Sequence, residues 1–110
     1  MTAAQDLART RTETLAQIDA LSREFDEVVA ASASSNADDE HDPEGATIAF
    51  ERQQVAALLA AARRRLADAE AAVRAVEAGV YGICESCGGA IAPKRLAARP
   101  AARTCITCAT

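Results

Sequence analysis

Tyr81-Gly82-Ile83-Cys84-Glu85-Ser86-Cys87-Gly88-Gly89, answered downstream by Cys105-Ile106-Thr107-Cys108, contains all four cysteines of this 110-residue chain. The two Cys-x-x-Cys pairs are separated by 17 residues. Two residues between thiolates let one tight turn aim both sulfurs at one ion, and a second such turn completes a four-coordinate shell. Gly88 and Gly89 carry no Cβ, so the backbone can double back after the second sulfur. The expected occupant is one structural zinc ion held by Cys84, Cys87, Cys105 and Cys108. Four thiolates leave no position open for water, so a catalytic zinc is not expected. Iron in a four-sulfur site shares the tetrahedral geometry and is the alternative metal. A pair of disulfides would imply secretion, yet the N-terminus has no apolar stretch of signal-peptide type. A redox-active Cys-x-x-Cys needs strand–helix–strand surroundings, which the flanking residues do not predict.

Working outward, the rest of the chain is poor in large apolar side chains. It has two Phe, one Tyr and no Trp, and alanine supplies much of its 50% hydrophobic content. Alanine methyls cannot build a deep globular core, but they suit helices packed along a thin seam. The longest apolar run, Val55 to Ala62, is far short of the ~20 residues of a membrane span. These features predict a cytoplasmic protein with no membrane partner. Net charge is −4, unevenly placed. Residues 32–47 hold Asp38, Asp39, Glu40, Asp42 and Glu44 with no Lys or Arg, whereas Lys94, Arg95, Arg99 and Arg103 face Glu85 alone after residue 83. The chain is thus polarised between an acidic middle and a basic metal-binding end.

Leu7, Arg11, Thr14, Ile18, Leu21, Phe25 and Val28 alternate spacings of four and three, which predicts an amphipathic helix over about 3–31, with Leu15 and Val29 widening its stripe. Ser32-Ala33-Ser34-Ser35-Asn36 favours turns, and the acidic stretch runs on to Pro43 and Gly45. Ile48, Arg52, Val55, Leu59, Ala62, Leu66, Ala69, Val73 and Val76 repeat the alternation for about four heptads, predicting a second helix over about 46–78. Gly79 is placed to stop it. Two such helices joined by a loop over about 32–45 fold most simply as an antiparallel coiled-coil hairpin, and pairing between two chains is the alternative. The organisation expected is a mostly α chain: a helical hairpin over 1–80 and a four-cysteine finger over 81–110. Arg63, Arg64 and Arg65 spread around roughly 200° of a helix, so local pairing to acids such as Asp68 is expected rather than one phosphate-gripping patch.

Tyr81-Gly82-Ile83-Cys84-Glu85-Ser86-Cys87-Gly88, then Arg95-Leu96 and Arg99-Pro100, then Cys105-Ile106-Thr107-Cys108, following a helical hairpin, resembles the DksA/TraR family of zinc-containing transcription factors. The resemblance implies direct binding to RNA polymerase, with the hairpin entering the secondary channel and modulating initiation, and no enzymatic activity of the factor itself. It implies a bacterial, monomeric regulator that does not read promoter DNA sequence. At the tip, His41-Asp42-Pro43-Glu44-Gly45-Ala46 falls over the family's Asp-x-x-Asp-x-Ala pattern. Glu44 replaces the second acid, Ala46 matches, and His41 stands where the first acid belongs, with Asp42 one residue on. Asp42, Glu44 and Ala46 are therefore the candidate tip residues, and Arg95 and Arg99 the candidate finger contacts. Arg99 matches one basic residue through which some members respond to ppGpp, but Asp68 and Ala109 stand where others would be basic. Little or no ppGpp dependence is implied.

Two other function classes fit parts of the chain: a nucleic-acid-binding zinc module, and a zinc-capped coiled-coil interaction scaffold. The net negative charge and three aromatic residues weigh against a base-stacking or groove-reading surface.

Overall fold

A computed structural model of the chain describes residues 2–34 and 43–109, with the side chains of Ser34, Pro43, Glu44 and Gly45 outside that description. Three helices follow in order: α1 (Ala3–Ser34), α2 (Pro43–Ala78) and the short α3 (Pro93–Ala98). Among the described residues there is no strand, only an isolated bridge between Ile83 and Ala90. No described helix is long and apolar enough to cross a membrane.

The chain forms two compact units, one of Met1–Thr14 with Arg64–Thr110 and the other of Leu15–Arg63. The finger therefore shares a unit with the start of α1 and the end of α2. In the Leu15–Arg63 unit the two helices run antiparallel. Leu21, Val55, Leu59 and Ala62 form its buried core, with Ile18 and Phe25 packed against it. These are the residues of the four–three alternation, and burial of each large side chain among them contributes roughly 1.5–3 kcal/mol. Ala62 is wholly buried, so at that level a methyl group fills the seam.

In the other unit α1 and α2 again pair antiparallel, through fully buried Leu7 and Ala69, with buried Thr14 and Ala72. Arg11 occupies a seam position but is half-exposed. Its Nε lies 3.6 Å from Glu70 Oε1 on α2, so the stem covers the seam while the charge reaches solvent and a partner.

Both helices extend past their expected ends. α1 runs to Ser34 rather than about 31, because serine costs only a fraction of a kcal/mol in a helix and the hydrogen-bond ladder continues through it. α2 begins at Pro43 rather than about 46. Proline is well suited to a first turn, where its missing N–H has no intrahelical partner to lose. Leu15 and Val29 do not widen the buried stripe. They are 39% and 40% exposed, flanking a seam too narrow to cover them.

α2 ends where Gly79 was expected to stop it. The Val80 N–H reaches back to the Ala75 carbonyl at 2.9 Å and the Gly79 N–H to the Val76 carbonyl at 3.1 Å. That paired closure requires a left-handed residue, and Gly79 supplies it with φ +74°. The turn delivers the chain directly into the first cysteine pair.

Candidate metal centre

Each cysteine pair sits on a tight turn. In the first, the Gly88 N–H bonds the Cys84 carbonyl at 2.9 Å, and the Cys84 N–H bonds the Gly89 carbonyl at 2.8 Å. Gly88 carries φ +74°, a conformation that costs other residues steric strain. In the second, the Cys108 N–H reaches the Cys105 carbonyl at 3.1 Å. The turns face each other, and all four Sγ atoms lie within 4.8 Å of one another. Cys84 is buried, Cys105 and Cys108 are half-buried, and Cys87 is exposed.

The spacing fits zinc. A tetrahedron with Zn–S bonds of about 2.3 Å has an edge of about 3.8 Å. The Sγ atoms of Cys87 and Cys105 are 3.9 Å apart. A disulfide would need about 2.05 Å, and all four thiols are free. Four thiolates around one dication close the coordination shell, which makes this a structural zinc centre.

The thiols do not ionise alike. Backbone N–H groups, those of Cys105 first and Cys87 next, draw the Cys84 thiol down to about 6. The backbone at Cys108 lowers Cys105. Hydrogen bonding to the neighbouring sulfurs, Cys105 foremost, pushes Cys108 up to about 12. Four sulfurs this close resist carrying four negative charges by themselves, and a central dication removes that conflict. The Gly89 N–H, 3.4 Å from the Cys87 sulfur, adds a donor from outside the ligand set.

The segment between the turns is held by its own side chains. Ile91 is 3% exposed, and its N–H bonds the Gly82 carbonyl at 2.7 Å. Arg95, half-buried on α3, donates from Nε to the Thr104 carbonyl at 2.9 Å, just before Cys105. The Tyr81 hydroxyl donates to the Pro100 carbonyl at 2.8 Å. Tyr81 and Arg95, from the segments flanking the cysteines, thus brace the stretch that leads into the second turn.

Arg103, one of the four basic residues of the metal-binding end, joins three segments. Its carbonyl accepts the Glu85 N–H at 2.9 Å. Its Nε is shared between both Glu85 carboxylate oxygens at 3.0 and 3.1 Å. Its Nη1 reaches Asp68 Oδ1 on α2 at 3.2 Å. Asp68 therefore faces the finger. The available signal was an acid late in α2 opposite a finger with surplus basic charge.

Arg95 and Arg99 come together with Arg65, Asp68, Arg103 and Thr10 around an open cavity of about 540 Å³. Asp42 lies outside the described residues, as does the Glu44 side chain. Ala46 is exposed in the first turn of α2.

Residues 79–110 match the family described as prokaryotic dksA/traR C4-type zinc finger. A protein of Bacillus subtilis (strain 168), described as uncharacterized protein YteA, is 42% identical over 66 residues, covering 60% of this chain and 28% of that protein. The chain thus aligns with less than a third of that relative's length. The solved structure of transcription factor DksA2 from Pseudomonas aeruginosa superposes with a TM-score of 0.76 at 26% identity, covering 96% of this chain and 75% of that one.

Proposed function

We propose that the chain is a transcription regulator of the DksA/TraR type, whose C4-type zinc finger residues 79–110 match, and that it binds RNA polymerase and places the loop end of its hairpin in the secondary channel. The observation that carries this is the likeness to a transcription factor over 96% of the chain, hairpin and finger together. A likeness confined to the finger would suit any zinc module.

The chemistry of the chain supports the same task. Residues 32–47 concentrate five acids with no basic residue. A negative end is drawn toward a channel that admits nucleotides to a metal-bearing active site. In this proposal Asp42 and Glu44 act there electrostatically, and Ala46 permits close approach because it has only a methyl group. The polymerase performs the chemistry, and the factor changes the stability of the promoter complex. The zinc centre fixes the finger, and Arg95 and Arg99 are the proposed contacts on the polymerase's rim.

Capture of core RNA polymerase by the tagged protein, competed by a known secondary-channel factor, tests the binding. Asp42→Asn with Glu44→Gln should preserve capture and abolish the effect on initiation in a purified transcription assay. Failure to capture polymerase would overturn the proposal. Normal regulation by the double variant would overturn the tip assignment alone.

A further inference from the structure

The ion pair between Asp68 and Arg103 connects the metal centre to a helix that supplies none of its ligands. Arg103 lies two residues before Cys105, and its carbonyl and its Nε both engage Glu85, the residue after Cys84. One residue thereby ties together the two turns that carry the sulfurs. Its remaining reach, Nη1 to Asp68 at 3.2 Å, fixes that tie to α2.

We propose that Asp68 is a positioning residue for the zinc centre, making retention of the ion and docking of the finger on α2 a single equilibrium. With Asp68 in place the guanidinium is held at two carboxylates, and the second turn is presented to the first in register. Without it, Arg103 keeps only Glu85, a partner within the finger itself, and the finger can shift on α2 without breaking that pair.

The sign of the effect separates this proposal from simple charge balance. Four thiolates and a dication carry a formal charge of −2, and Asp68 adds another negative charge nearby. If Asp68 acted only through its charge, neutralising it would relieve repulsion and slow the loss of zinc. If it anchors Arg103, neutralising it speeds the loss.

Zinc transfer from the loaded full-length protein to excess chromophoric chelator, at low ionic strength, measures this directly. Asp68→Asn should release zinc about fivefold faster, the scale of one well-placed exposed ion pair. Asp68→Glu, which keeps the carboxylate, should restore most of the retention. Arg103→Met should be at least as fast as Asp68→Asn, and combining the two should add little. At about 1 M salt, where screening acts within about 3 Å, the wild-type and Asp68→Asn rates should converge. Hydrogen exchange provides a second readout: zinc should protect amides of residues 64–78 in the wild type and much less in Asp68→Asn. Equal or slower release from Asp68→Asn, or unchanged zinc-dependent protection of α2, would overturn the proposal.

Discussion

The Tyr81 hydroxyl donates to the carbonyl of Pro100 at 2.8 Å, tying the segment that leaves α2 to the one that follows α3. The ring is half-buried, and burial raises the phenol's pKa, with the nearby Asp6 carboxylate adding to the shift. Both effects favour the neutral, donating form of the hydroxyl.

Tyr81→Phe should therefore cost about 1 kcal/mol, the net worth of one such bond, seen as a lower urea midpoint of the zinc-loaded protein with unchanged slope. The pH dependence follows from the raised pKa. Stability contributed by the neutral phenol is complete below the unfolded value near 10 and is lost as pH rises through the higher folded value. Phenolate absorbance should accordingly appear at higher pH in the folded protein than in urea. Coincident titrations would contradict the environment described for Tyr81.

Zinc binding must displace every thiol proton still present. With Cys84 drawn to about 6, that sulfur is already largely ionised at pH 7.5, whereas Cys108, at about 12, still holds its proton. Calorimetry in buffers of differing ionisation enthalpy should find fewer than four protons released per ion at pH 7.5, rising toward four as the pH is lowered through about 6. Release of nearly four at pH 7.5 would mean that the turns form only when the metal arrives. Substitution of Cys84 or Cys105 by serine should abolish tight binding and remove the stabilisation, on the order of 10 kcal/mol, that structural zinc supplies in such modules.

Leu59 is 7% exposed at the centre of the Leu15–Arg63 core, whereas Phe50, on the same helix, is 67% exposed. Leu59→Ala should destabilise by about 2–5 kcal/mol. Phe50→Ala, the larger truncation, should change stability by less than about 0.5 kcal/mol. Urea unfolding of the two variants checks the seam, because comparable losses would mean that burial does not follow the four–three alternation.

That alternation made the hairpin legible in the sequence. Leu7, Leu21, Val55, Leu59, Ala62 and Ala69 are buried because a period near 3.5 keeps them on one side of each helix. The zinc ligands were equally legible, since the spacing itself is the chemistry. Leu15 and Val29 show the limit: apolar character marks a candidate for burial, but a two-helix seam covers only a narrow stripe. For the Asp68–Arg103 pair the sequence held only a surplus of basic charge in the finger and an acid late in α2. The two are 35 residues apart, and nothing periodic picks one arginine among several as the partner.

The four gathered sulfurs also place part of this protein's folding free energy outside its own chain. By mass action, each tenfold change in free zinc well above the dissociation constant shifts the stability of the folded finger by about 1.4 kcal/mol. A mutation of that size would be a permanent change, while this one is reversible and follows the composition of the surrounding medium. The finger's integrity is therefore a variable set by its environment as well as by its residues.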